Sequence, residues 1–326
     1  MKAATLVRPG EVAVTDDWPE PVAGPGDVVV AVRAVGVCGS DLTVIAGHRP
    51  VPRLPWVLGH EAVGDIVGVG PSVTDRMVGQ RVVVEPNYPC LACEQCRSGA
   101  TSVCPNRRIA GINEPGLLAE RVAVPAGFTW PVAPDLPLED LVCAEPLAVA
   151  LGAIDRVGVR PGEPCLVIGA GSQGLLVCLA LLGRGVRPAV VDPNAGRLAT
   201  ATGLGALDGS HLQDGERFTV VFETSGSPAA LEQAIAVAAP DGRIALIGQS
   251  EEPARLSTFA IVQRRLSLIG CLIYDHPTGF AESTGALAAI HPGQVLRGRF
   301  ALDEAARAFR EARDQPGKPW ISMEGS

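Results

Sequence analysis

Lysine is almost absent from this chain. Only Lys2 and Lys318 occur, and the remaining basic residues are arginines. A compositional bias of a GC-rich genome explains this more simply than an arginine-based function does. Basic residues are outnumbered, 27 against 35 acidic, for a net charge of −8. Nucleic-acid binding normally shows as a basic face, so this balance argues against it. No uninterrupted apolar run approaches the ~20 residues of a membrane span. The opening MKAATLVRPGEVAV also lacks the long apolar core of a secretory signal. A cytoplasmic protein with no nucleic-acid or membrane partner is expected.

Core-forming material is plentiful. At 326 residues and 47% hydrophobic content the chain has room for two domains, since single cores rarely grow past ~250–300 residues. Nine cysteines make an odd disulfide set and would stay reduced in a cytoplasmic chain. Cys143, Cys165, Cys178 and Cys271 are scattered and read as small core residues. Cys90, Cys93, Cys96 and Cys104 crowd together, and four thiols so spaced can wrap one tetrahedral ion. Zinc favours that closed all-thiolate shell where its role is structural. Left unligated on a polar loop, the same thiols would invite oxidation.

The texture changes along the chain. From Lys2 to about Val37 it is short-stranded and β-rich, and GVCGSDL then suits a strand running into a helix that Asp41 can cap. LGHEAVGDIVGVG sets His60 beside Glu61; VGQRVVVEP and GLLAERVAVPAGFTWPV continue the β style. Helix-period positions lie on both sides of Glu145-Pro146. From Pro164 strands and helices alternate: CLVIGAG, a helix over Leu175–Leu182, PAVVD, a helix near Ala195–Thr202, TVVFETSG, a helix around Ala229–Ala239, then GRIALIG and LSLIGCL. Continuous apolar strands in that rhythm imply a parallel sheet covered on both faces. After about Ala281 a short helix, VLRGRFAL, the helix DEAARAFREAR and a strand near Trp320–Met323 return to the first half's style. The expected class is α/β, with a catalytic domain over 1–151, a zinc lobe at about 86–106, a nucleotide-binding domain over 152–282, and a return to the catalytic domain over 283–326.

Gly169, Gly171 and Gly174 form a GxGxxG between a strand and a helix, the context that makes this motif a dinucleotide fingerprint. The glycines serve the turn, the approach of the pyrophosphate and the helix–sheet packing, and the helix start offers N–H groups to phosphate. Gln173 in the turn, and Ile247 with Gly248 at the end of GRIALIG, are further cofactor-binding candidates. Asp192 is placed to accept hydrogen bonds from the adenosine ribose, and its charge repels a 2′-phosphate, favouring NAD over NADP. Arg197 nearby can accept such a phosphate, but Asp192 dominates. If Cys38, His60, Glu61 and Glu145 converge, they offer a mixed donor set that leaves a zinc ion room for a reacting ligand.

GVCGSD around Cys38, GHExxG at 59–64, the four-cysteine lobe, EPLAV at 145–149, GAGSQG and the Asp192 strand end occur in one order. In that order the chain resembles the zinc-dependent medium-chain dehydrogenases, nearest the sorbitol (polyol) and 2,3-butanediol dehydrogenase branch. The resemblance implies a GroES-like β domain split around a Rossmann domain. It implies a catalytic zinc on Cys38, His60 and Glu145 with Glu61 binding in some states, a structural zinc on the lobe, and NAD. It further implies oxidation of a small secondary alcohol, polyol or cyclitol to a ketone, by a homodimer or homotetramer. Threonine-type amino-alcohol oxidation, or a redox-inactive NAD- and zinc-binding role, are the alternatives.

By the same resemblance Ser40 takes the proton of the alcohol, while Thr43 stands where the family ends its relay with His. Tyr274 matches a substrate-contacting Tyr, but Ile273 replaces the Arg before it. A Thr hydroxyl passes a proton without storing one near neutral pH. The alcohol-oxidation pH profile is therefore expected to lack a step near ~6.5. If Thr43→His leaves that profile unchanged, the relay does not end at this position.

Overall fold

The alternating apolar residues of DVVVAVRAVG form the ten-residue strand Asp27–Gly36. It is central to a seven-stranded sheet. Glu61–Val69 pairs with it on one side, and Arg121–Pro125 and Lys318–Ser322 share the other, all antiparallel. Arg81–Val84 and Thr129–Pro131 extend the sheet beyond Glu61–Val69, and Leu296–Ala301 adds a parallel strand beyond Lys318–Ser322. A three-stranded sheet of Glu11–Thr15, Ala3–Arg8 and Trp56–Val57 and a two-stranded one of Asn87–Tyr88 and Arg108–Ile109 add to the β content around one core, which includes Val30, Val35, Leu58, Ile66, Val82 and Leu118. The computed structural model describes residues 1–211 and 215–324.

Two compact units result: Met1–Glu145 with His276–Ser326, and Pro146–Asp275 between them in sequence. The sequence-based bounds lie a few residues later at both joins. Glu145 and Pro146 both belong to the helix Ala144–Val157, and Pro146 falls in its first turn, where a missing N–H breaks no intrahelical bond. The segment from His276 groups with the β unit. Its helix Thr278–Ile290 starts earlier and runs longer than expected, and Ser283 anchors it by donating to Ala144 O at 2.6 Å.

The second unit holds six parallel strands in the spatial order Leu207–Asp208, Ala189–Val191, Cys165–Ile168, Phe218–Glu223, Ala238–Leu246, Ser267–Gly270. Counted along the chain within this unit the order is 3-2-1-4-5-6, the doubly wound arrangement of a Rossmann fold. The helix Ser172–Gly183 is buried from Gly174 through Leu181, which is why its sequence shows no polar face. The helix Thr258–Arg264 was not anticipated, because no apolar stripe marks it: none of its residues is buried.

Candidate active site

Strand register brings the polar groups together. Gly36 lies opposite Glu61 on one side and Trp320 on the other. A Cβ at Gly36 would collide with the Glu61 carboxylate, so the residue's lack of a side chain makes room for it. Lys318, from the closing strand, reaches the same point: its Nζ stands 2.5 Å from Oε2 of Glu61 and donates to Val37 O at 3.0 Å. Both side chains are fully buried. Burial works to strip the Lys318 proton, but Glu61 and the thiols of Cys38 and Cys143 outweigh it and raise the pKa above the ordinary value.

Cys38 caps the helix Gly39–Ile45, and His60 precedes the Glu61–Val69 strand. The ligand atoms of Cys38, His60 and Glu61 lie within 4.8 Å of one another. Asp41 acts from the third helical position: its carboxylate accepts the Cys38 N–H at 3.0 Å and faces Nδ1 of His60 at 3.2 Å. A proton held on Nδ1 leaves Nε2 as the donor nitrogen for a metal. Burial pushes the His60 pKa down, yet Asp41 and Cys38 hold it well above the ordinary value. Glu145 stands outside the 4.8 Å trio and is buried. Burial pushes its pKa up to about 7, with His60 pulling it down and Glu61 pushing it up.

The Cys38 thiol and the buried carboxylates of Asp41, Glu61 and Glu145 therefore gather around only two cationic groups, Lys318 and the His60 ring. Oε1 of Glu61 has no hydrogen-bond partner among the described residues. A divalent cation offsets that surplus and satisfies the orphan oxygen, so the residues fit a zinc ion. Ser40 borders the trio, its Oγ 3.4 Å from Cys38 Sγ and 3.3 Å from His60 Nε2. Thr43 is exposed and donates its hydroxyl to Ser40 O at 2.8 Å, a bond to the helix backbone and not to the Ser40 hydroxyl.

The four lobe thiols also lie within 4.8 Å of one another, with Cys90–Cys104 at 3.6 Å and Cys93–Cys104 at 3.8 Å. Tetrahedral zinc with Zn–S bonds of ~2.3 Å sets sulfurs ~3.8 Å apart, so the lobe fits a structural ion. The backbone N–H groups of Ala92 and Cys93 pull the Cys90 thiol down to about 6, towards the thiolate a metal needs.

In the nucleotide unit Gly169 adopts φ +96°, a left-handed turn closed to most side chains. A Cβ on Gly174 would strike the Gly169 carbonyl, whereas one on Gly171 would meet open space. That space is where the fingerprint admits a pyrophosphate. Asp192 binds the turn itself, its two oxygens accepting from Ala170 N and Asn194 N, each at 2.7 Å. Gln173 Nε2 donates to Pro146 O at 3.2 Å, and Arg197 lies in the first turn of Ala195–Gly203, its N–H donating to the Asn194 cap. Ile247 and Gly248 both donate their N–H to Glu223 O, and Gly248 packs directly on Gly226. Around them a cavity of about 420 Å³ opens at the strands' C-terminal ends, lined by Glu223, Gly226 and Gly248. Glu223, which the sequence did not single out, organises its rim: one oxygen accepts from Ser225 N, Ser225 Oγ and Gly226 N. Tyr274 is buried, with its Cα and Cβ against Gly152.

Residues 24–135 match the alcohol dehydrogenase GroES-like domain and residues 174–290 the zinc-binding dehydrogenase domain. Sorbitol dehydrogenase of Bacillus subtilis strain 168 is 30% identical over 96% of this chain and 93% of its own length. The chain belongs to the zinc-containing medium-chain alcohol dehydrogenase family. L-threonine 3-dehydrogenase of Pyrococcus horikoshii is 34% identical over 76% of each chain. An alcohol dehydrogenase, RspB, of Escherichia coli CFT073, solved in complex with NADH, superposes with a TM-score of 0.91 at 26% identity, covering 99% of both chains. As a family member this protein is a zinc-dependent NAD(P) dehydrogenase.

Lys318→Met leaves a buried unpaired carboxylate and is expected to cost about 3–5 kcal/mol of unfolding free energy in urea titration. Adding Glu61→Gln should recover most of that cost; a double variant no more stable than the single one would mean that the pair's charge is not what matters. Gly171→Ala is expected to keep the melting temperature and weaken NADH binding at least about tenfold, because its methyl group takes space left for the pyrophosphate. Gly174→Ala should instead lower the melting temperature by several degrees, as overpacking of about 1–3 kcal/mol does.

Proposed function

We propose that this protein is an NAD-preferring zinc dehydrogenase that oxidises a secondary alcohol, polyol or cyclitol-like substrate to a ketone. The observation that carries the reading is the convergence of Cys38, His60 and Glu61 beside the hydroxyl of Ser40. A zinc ion held by these residues would supply Lewis acidity to the substrate hydroxyl, and NAD would supply the hydride acceptor. Ser40 is the hydroxyl that takes the substrate's proton as it passes its own proton on towards solvent. Asp41 holds His60 with one nitrogen turned away from the metal side, and Lys318 holds Glu61 by one oxygen, leaving the other free to ligate. Glu145, buried close by, is the fourth protein donor. Asp192, at the end of the second strand of the nucleotide unit, supplies the negative charge that disfavours a 2′-phosphate.

A second reading, oxidation of a threonine-like amino alcohol, is favoured by the 34% identity to the threonine dehydrogenase. NADH formation from a panel of polyols, vicinal diols, cyclitols and L-threonine separates the two. Turnover of a secondary alcohol or polyol, abolished by a chelator, is expected. Preference for L-threonine would select the second reading, and no turnover with two zinc ions per chain would select a redox-inactive role. In the same assay Asp192→Gly should reduce the NAD-to-NADP preference by about tenfold or more, the worth of a charge-assisted hydrogen bond. A ratio that does not move would remove Asp192 from cofactor choice.

A further inference from the structure

A second cavity, of about 360 Å³, lies in the β unit behind the helix Gly39–Ile45. Its walls are apolar, formed by Leu6, Val44, Val51 and Leu54, and two arginines, Arg49 and Arg53, open onto it. None of Cys38, His60, Glu61 or Glu145 lines it. Several guanidinium groups among the described residues are paired: Arg33 and Arg81 share Asp65, and Arg243 holds Glu163. Arg49 and Arg53, by contrast, have no ion pair and no side-chain hydrogen bond among the described residues. Arg49 is also half-buried, and desolvation alone lowers its pKa, with no carboxylate near enough to offset it. The backbone at Arg49 is held in place, because Gly47, His48 and Arg49 donate their N–H groups to the carbonyls of Val44 and Thr43.

Two like charges without a counter-charge, facing one apolar cavity in a protein of net charge −8, are an unbalanced arrangement. We propose that this cavity binds a small organic anion, its carboxylate held by Arg49 and Arg53 and its apolar body packed on Leu6, Val44, Val51 and Leu54. The planar guanidinium fork matches a carboxylate, and the volume lies within the range of small-molecule sites. The site is independent of the zinc and nucleotide chemistry above and stands whether or not that reading of the reaction holds.

Octanoate is the probe. It matches the cavity in kind, and octan-1-ol and inorganic phosphate each lack one half of it. Binding is measured by calorimetry on zinc-loaded, NADH-saturated protein. Octanoate is expected to bind, with octan-1-ol and phosphate each at least about tenfold weaker. The double variant Arg49→Gln/Arg53→Gln should weaken octanoate at least about tenfold, with zinc content, NADH affinity and melting temperature unchanged. A carboxylate can also approach the zinc centre, which this variant leaves intact. Octanoate affinity that survives the double exchange would therefore locate binding elsewhere and overturn the proposal. So would the absence of octanoate binding, or equal binding of phosphate or octan-1-ol.

Discussion

One buried ammonium holds the catalytic floor together. Lys318 binds Val37 O, one residue before Cys38, and the carboxylate of Glu61, one residue after His60. The single charge thereby ties the strand that delivers the cysteine, the strand that follows the histidine, and the strand that returns after the inserted nucleotide unit. Taking both charges out of water costs several kcal/mol each, and their attraction repays this only where geometry is good and the remaining groups are satisfied. Here one carboxylate oxygen is left over. A pair that is half-satisfied as a structural unit is well suited to a neighbouring cation, which makes the metal part of the same electrostatic balance. Gly36 permits the arrangement by having no side chain where the carboxylate must pass.

A second layer of control acts through Asp41. The helix Gly39–Ile45 has only seven residues, too few to be stable by itself. Asp41 stabilises its start by accepting the Cys38 N–H and uses its other oxygen to fix the His60 ring. Helix capping and ligand orientation are thus one interaction, so a change that frays the helix also loosens the histidine. Ser40 rides on the same turn, and Thr43 strengthens it by bonding the Ser40 carbonyl. The Ser40 hydroxyl is therefore positioned by backbone geometry.

Features set by short-range spacing were legible in the sequence. The cysteine lobe, the strand–turn–helix glycines and the Gly-His-Glu run each lie within one turn or loop, so spacing alone carries their chemistry. The alternation of strands and helices gave the parallel sheet, because crossovers between parallel strands need a dozen or more residues. What stayed hidden depends on contacts between distant segments. Lys318 and Val37 are 281 positions apart, and the hint in the sequence was a lysine opening a short, mostly apolar strand. Asp41 reads as a helix cap until His60, nineteen positions on, is seen beside it. Glu223 reads as the end of a strand until the N–H groups of Ser225 and Gly226 close on it.

Glu145 sits where these two kinds of information meet. Its neighbour Pro146 suggests a chain break, yet both residues lie in one helix, with proline in the first turn. An acidic side chain in a first turn also gains from the helix dipole, which favours its charged form. Burial acts the other way and wins, pushing the pKa up to about 7, with His60 the chief counterweight. A cation beside it would add to that counterweight and restore the carboxylate as a ligand. Glu145 therefore ends the β unit as a carboxylate whose charge state a neighbouring cation would shift.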